Sequence, residues 1–406
     1  MLPVENIPST DHPSAVESTP RSAGGLLSSP LTQEDREDFR ALVREFTAKE
    51  ISPNIDVWEA EGEIPRELYL KAGDIGLLGI GLPEQYGGLG PDTAMLRFTL
   101  GQELARAGSG GLVNALVGSF YISQPPIARL GSVALRARIL PETISGRLIG
   151  ALAVTEPGGG SDVAALSTTA VRDGDHYVVN GSKTLITSGM RADVITVGVR
   201  TGGPGAGGLS MLVVDGDTPG LTRTPISKMG WRCSDTATLY FDDCRVPVGN
   251  LLGAENQGFL AIATNFNDER MDLIAQAVAF SRLCLDRAIA YARERHTFGR
   301  RLVDHQVLRH KIVDMAGRIN ACQAWAETLA WRLCQGESPV AEICQAKVLA
   351  SRTFEFCARE AAQILGGASY VTGELIERLY REVRVQAIGG GSEEIMTDLA
   401  ARQMQL

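Results

Sequence analysis

Residues 259–284 read FLAIATNFNDERMDLIAQAVAFSRLC. Large apolar side chains recur at Phe259, Ile262, Phe266, Leu273, Phe280 and Cys284, the three-and-four spacing that lays one stripe of a helix against a core. The spacing asks for an apolar residue at 269, and the chain supplies Glu269. A carboxylate on a buried stripe is costly, because desolvation disfavours its charged form and raises its pKa unless a cation or hydrogen bonds compensate. Proteins obtain a general base that works near neutral pH in this way. The plainer alternative is that Glu269 stands where the helix leaves the core and pairs with Arg270 or another base.

Downstream, helical periodicity continues to about Gln386. Candidate helices cover 258–295, 304–335, 340–365 and 373–386, with a short one after Glu394. Their lengths and short connections predict an antiparallel four-helix bundle over 254–406. Upstream the texture changes. The runs LIGALAVT, VRDGDHYVVNG, ADVITVGVR, LSMLVVDGD and TATLYFDD are rich in Val, Thr and Tyr, with Asp-Gly and Asn-Gly turns, and predict an antiparallel β domain over 147–253. Gly203, Gly205 and Gly208 imitate a dinucleotide-binding glycine pattern, but Pro204 interrupts it and no helix follows, so a hairpin loop is the better reading.

Residues 31–146 read as a helical domain. Thr32 and Asp35 make an N-cap pair ahead of Phe39, Leu42, Val43 and Phe46. The first helix stops near Ser52–Pro53, another begins after Pro65, a Gly-rich loop covers 79–90, and further helices cover 94–107, 112–122 and 133–144. Residues 1–30, with five Pro and six Ser, read as a flexible tail. The fold class is α+β, in the order helices, β domain, helices.

Composition narrows the function. A chain of 406 residues with 44% hydrophobic and 21% charged residues is an ordinary globular protein of two or three domains. A net charge of −9 without a Lys/Arg cluster argues against nucleic acid, and no apolar run reaches the ~20 residues of a membrane helix. Seven cysteines without a Cys-x-x-Cys pair fit reduced thiols rather than a disulfide framework or zinc site, and His305 and His310 lack metal-pair spacing, so no metal is expected. The first thirty residues resemble neither a secretory signal nor a transit peptide, which points to the cytoplasm.

TEPGGGSD at 155–162, NGSKTLITSG at 180–189, RERHTFGR at 293–300, QILGG at 363–367 and IGGGSEE at 388–394 occur in an order and spacing that resembles the acyl-CoA dehydrogenase family. The resemblance covers nearly everything after the tail. It implies bound FAD, an acyl-CoA substrate losing hydrogens from its α and β carbons, and electrons passed to an electron-transferring flavoprotein. It also implies that Thr155 and Thr187 touch the flavin ring and that Ser161 contacts flavin or the pantetheine arm. Arg295, Thr297, Phe298, Gln306, Gln363, Gly366 and Gly367 match positions that grip the FAD of a neighbouring subunit, which implies an oligomer, a homotetramer built through the C-terminal bundles. Ser392 and Glu394 are further candidate FAD contacts. Arg270 resembles the residue that meets the CoA end of the substrate.

Members of this family place the base either in the C-terminal loop, at the position of Gly390 here, or on the bundle helix at the position of Glu269, as in enzymes for isovaleryl and long-chain thioesters. With glycine at 390, Glu269 is the expected base, and Gly390 is expected to offer its backbone N–H to the thioester oxygen. Glu393 and Glu394 are the rival carboxylates. Leu185 stands where many members have Trp beside the flavin. The expected reaction is dehydrogenation of a long-chain or branched acyl-CoA in fatty acid β-oxidation. Alternatives are a carrier-protein acyl or aminoacyl thioester, an oxidase, and a non-catalytic partner subunit of a mixed oligomer.

Overall fold

The computed structural model describes residues 32–90 and 94–406. The tail expected over 1–30 lies outside the described residues. Helix α1 (Gln33–Phe46) opens on a capping box, Thr32 accepting from the Asp35 N–H while the Asp35 carboxylate returns to the Thr32 N–H. A π-helical turn at Thr47–Ile51 carries it to Ser52. Helices α2 (Ile55–Glu61), α3 (Arg66–Asp74), α4 (Ala94–Ala105), α5 (Gly110–Val113), α6 (Ser119–Leu130) and α7 (Val133–Ile144) complete the N-terminal part. Periodicity gives no signal for α2 and predicts that the helix of α6 ends near Ile122, whereas the chain runs on through Pro125 and Pro126. Pro126 cannot donate to the Ile122 carbonyl one turn back. Asn265 does so instead, its side-chain amide donating at 2.6 Å.

The middle part contains β1 (Gly150–Ala153), β2 (Thr169–Asp173), β3 (His176–Thr187), β4 (Val194–Arg200), β5 (Leu209–Asp215), β6 (Leu221–Pro225), β7 (Thr236–Pro247) and β8 (Leu251–Leu252). They form one sheet in the order β6-β7-β3-β2-β4-β5-β8, with β1 also paired to β4. The domain is mainly antiparallel, as expected, with two parallel pairings added: β1 runs parallel to β4, and β2 meets β4 in parallel at Thr169 and Arg200. Hairpin turns announce only sequential pairings, and β1 reaches β4 by a crossover spanning β2 and β3. The glycines at 203, 205 and 208 form the β4–β5 connection, as a hairpin loop should.

Strand β5 alternates between two cores. Leu212 and Val214 face the interior of the β domain, while Leu209, Met211 and Val213 face a cluster shared with Ile127, Ile139, Leu140 and Ile262 from the helices. Burial on both faces explains why β4 and β5 read as nearly continuous apolar runs.

The C-terminal part has α8 (Gly258–Glu294), a small hairpin of β9 (His296–Thr297) and β10 (Arg300–Arg301), then α9 (Gln306–Cys334), α10 (Val340–Leu365), α11 (Leu375–Gln386) and α12 (Glu393–Gln403). Of the apolar stripe of 259–284, Ile262, Leu273, Phe280 and Cys284 are buried, Phe266 is half-buried, and Phe259, in the first turn, is exposed. No helix among the described residues is long and apolar enough to cross a membrane.

Candidate active site

Glu269 lies in the first third of α8, half-buried, one turn before the buried Leu273. Burial pushes its carboxyl up to about 7. Arg270 and Lys347 oppose that rise, and Asp272 adds to it. Asp272 is itself bound by Arg97 of α4, whose guanidinium carbon sits 4.4 Å from the Tyr121 ring centroid. Asp268 joins this network through Arg129 at 3.1 Å and Arg97 at 3.7 Å. Arg97 and Arg129 thus balance the two aspartates, and Glu269 keeps no direct ion pair of its own among the described residues.

Gly390 reaches the same spot from the far end of the domain. Its φ of +65° belongs to the left-handed region. A Cβ there would fall 2.6 Å from Leu273 Cδ1 and 3.8 Å from both the carboxyl carbon and Oε1 of Glu269. Arg270 closes the contact, Nε donating to the Gly390 carbonyl at 3.4 Å and Nη1 to Asn267 Oδ1 at 2.8 Å, with its guanidinium over the Phe266 ring. Arg270 is therefore buried and turned toward this loop. Replacing Gly390 by Ala strains the backbone by about 1–2 kcal/mol and drives a methyl into Leu273. The expected result is a lower melting temperature and slower turnover, both partly restored when Leu273→Ala is added; an unchanged Gly390→Ala protein would refute the close approach.

The two rival carboxylates are otherwise engaged. Glu393 accepts from Ser351 Oγ at 2.8 Å and Arg352 Nε at 2.9 Å. Glu394 is exposed in the first turn of α12, where its own backbone N–H and the Ser392 hydroxyl hold its carboxyl below the usual range. Ser392 caps that helix, accepting from the Ile395 N–H at 3.4 Å.

The middle-domain motifs are neighbours. The Thr155 carbonyl accepts from the Thr184 N–H at 2.9 Å, and Thr187 pairs with Thr236 on β7. Between Lys183 and Ile186 the register slips, and Leu185 occupies the bulge at φ +59°, 61% exposed. Val154 and Ile262 both approach Gly198, which ties the strand leading into Thr155 to α8, about 10 Å along the helix from Glu269. Ser161 is exposed beyond the open turn at Gly158 and Gly159.

Glu156 is an anchor that the sequence reading missed. It accepts from Lys183 Nζ at 2.8 Å and from both the backbone and hydroxyl donors of Ser167 and Thr168. Burial works to raise its pKa, yet these donors hold it down to about 2, while burial lowers Lys183 to about 8 against the pull of Glu156. The pair pins the glycine turn of 157–160 to β3.

The remaining predicted contacts lie where α8 and α10 end and α9 begins, away from Glu269 in sequence, and all but Thr297 are exposed. Arg295 and Gln306 are exposed, Thr297 is half-buried, and Phe298 is 97% exposed at φ +50°. Gln363 is exposed, and Gly366 and Gly367, where α10 ends, have open space on the side a Cβ would fill. An exposed arginine with no ion pair among the described residues, two open glycines and an exposed aromatic ring fit an anionic dinucleotide laid against them. Among the described residues no group of three or more His, Cys, Asp and Glu could hold a metal ion.

The chain matches the acyl-CoA dehydrogenase N-terminal domain over residues 33–147, the middle domain over 151–244 and the C-terminal domain over 256–405. It belongs to the acyl-CoA dehydrogenase family. Among relatives, cyclohexane-1-carbonyl-CoA dehydrogenase of Geobacter metallireducens is 35% identical over 92% of this chain and 98% of its own length. The long-chain specific acyl-CoA dehydrogenase of Rattus norvegicus mitochondria is 34% identical, over 90% of this chain and 85% of its own length. The solved structure of a probable acyl-CoA dehydrogenase from Mycobacterium abscessus superimposes with a TM-score of 0.89 at 47% identity, covering 92% of this chain and 99% of that one. A glutaryl-CoA dehydrogenase from Mycobacterium smegmatis in complex with FADH2 gives a TM-score of 0.84 at 28% identity, over 92% of this chain and 95% of that one. This acyl-CoA dehydrogenase is thus an oxidoreductase acting on a CH–CH group, in a family of flavoproteins.

Proposed function

We propose that Glu269 removes the α proton of an acyl-CoA thioester while the β hydrogen leaves with its electron pair, giving the trans-2-enoyl thioester. The observation that carries this reading is the space shared by positions 269 and 390, where a side chain at 390 would meet the Glu269 carboxyl. Bound FAD supplies the oxidant that accepts the β hydrogen. The chain's own residues do the rest. The Glu269 carboxylate takes the proton from a half-desolvated position, and the Gly390 N–H meets the thioester oxygen as negative charge develops. Arg270, packed on Phe266 and the Gly390 carbonyl, orients the substrate from one side, and Ser161 contacts it or the flavin from the other.

Thr155 and Thr187 contact the flavin ring in this reading. Arg295, Thr297, Phe298, Gln306, Gln363, Gly366 and Gly367 hold the dinucleotide of a neighbouring subunit, with Ser392 and Glu394 as further contacts. That sharing calls for a homotetramer. The seven free cysteines, six of them buried, suit a reducing cytoplasm. Electrons leave to an electron-transferring flavoprotein. The substrate is a long-chain or branched acyl-CoA, as the seat of the base on the helix suggests and as relatives named for long-chain and cyclohexane-1-carbonyl thioesters agree.

Anaerobic titration of the purified holoenzyme with a panel of acyl-CoA esters, following loss of the flavin's visible absorbance, tests the reading. Bleaching by long or branched esters supports it; bleaching by short linear esters alone removes the substrate assignment, and no bleaching by any CoA ester removes the reaction. The pH profile is a second check. A base must be ionised to act, so the rate is expected to rise with pH through about 7 and level off above it. A rate already level at pH 5 would exclude Glu269.

A further inference from the structure

Lys347 lies on α10 with only 2% of its surface exposed. Its Nζ donates to the Gly391 carbonyl at 2.7 Å. One turn further along the same helix face, Ser351 holds Glu393 at 2.8 Å, and Arg352 holds its other oxygen at 2.9 Å. Helix α10 therefore grips the chain at Gly391 and again at Glu393, just after the point where Arg270 of α8 holds Gly390. The turn needs gripping: Gly390 and Gly391 stand at φ +65° and +102°, conformations that leave the backbone no helical or strand ladder of its own.

We propose that Lys347 is a positioning residue for this reaction, its ammonium fixing through the Gly391 carbonyl the turn that brings position 390 against Glu269, and setting a cation on the Glu269 side of that turn. The inference rests on Glu269 acting as the base. Glu269 is faced by Arg270 and Asp272 on its own helix, the latter held by Arg97 of α4, and by Lys347 from α10. Lys347 is faced in turn by Glu393, Glu269, Arg270 and Cys344, and neither carboxylate is hydrogen-bonded to it. Burial draws the ammonium down to about 8, so it is still mostly charged at neutral pH, where Glu269 titrates. The helical stripe makes the placement deliberate: Ile343, Lys347, Ser351, Phe354 and Ala358 share one buried face, and lysine is the costly member.

Three substitutions separate the two contributions. Lys347→Met removes charge and donor, Lys347→Gln keeps a donor without the charge, and Lys347→Arg keeps both. Each is read as flavin content, as the pH profile of anaerobic flavin bleaching, and without turnover as the infrared band of the protonated Glu269 carboxyl, assigned by its disappearance in Glu269→Gln. Both Met and Gln are expected to move the acid limb of the profile and the infrared titration upward by roughly one pH unit, because a cation that favoured the carboxylate is gone. Met alone also lowers the limiting rate at high pH, about tenfold, because the turn loosens. Arg brings the limb back toward its wild-type position. A wild-type limb and carboxyl titration in Lys347→Met overturns the proposal, as does loss of flavin in all three variants, which would make Lys347 a residue of stability alone. If Glu269→Gln itself bleaches like wild type, the base assignment is what fails, and the infrared titration still reports whether Lys347 governs the carboxyl.

Discussion

Glu269→Gln is expected to retain its flavin and to lose its reduction by acyl-CoA roughly a thousandfold, the scale of a general base taken away. The amide has the shape of the carboxyl and cannot accept a proton at neutral pH. Glu393 cannot step in, because Ser351 and Arg352 occupy its oxygens, and Glu394 faces solvent. Equal bleaching by mutant and wild type would dismiss Glu269 from the chemistry. A second readout needs no substrate. An acid whose folded pKa is raised binds more protons folded than unfolded, so the wild type loses stability as pH climbs from 4.5 toward about 7. The glutamine variant lacks this loss. Its melting temperature relative to wild type should therefore rise across that window and stay level above it, and a constant offset would show that the carboxyl is not perturbed.

Lys183→Met carries the second large effect. Lys183 is wholly buried, and removing it leaves the Glu156 carboxylate buried without its cation, for which about 3 kcal/mol is the expected cost. The damage should be local before it is global, because Glu156 anchors the turn that follows Thr155. Flavin release at lower temperature, ahead of loss of helical signal, is the expected pattern. Adding Glu156→Gln should recover part of the stability, since the stranded charge is then gone. Flavin retention and melting equal to wild type in Lys183→Met would show that the pair does not hold the turn.

The fold was legible where periodicity is local. The length of α8, the capping box at Thr32 and the stripe violated by Glu269 can all be read from neighbours three and four residues apart. The same test applied to α10 would have flagged Lys347, which interrupts a stripe from Ile343 to Ala358. Lys183 was harder to see, because the register shifts after Val179 and again after Lys183, and alternation cannot be followed through a bulge. The parallel pairing of β1 with β4 and the passage of α6 through two prolines depend on distant partners, Val194 to Val197 in one case and Asn265 in the other. Candidate members of the site can be named from the sequence, but the meeting of Gly390 with Glu269 rests on a fold that brings them together.

Arg270 and the carbonyl it holds at Gly390 are 120 positions apart along the chain. Helix α8 leaves the ribosome long before the glycine turn exists, and α10, which supplies Lys347, is made between them. For that interval the nascent chain carries Glu269 without the glycine turn that closes over its carboxyl. The chemistry of this residue is thus acquired late in synthesis, and a nick between α10 and α11 that let the turn swing away would return it to its nascent character with every atom of the glutamate intact.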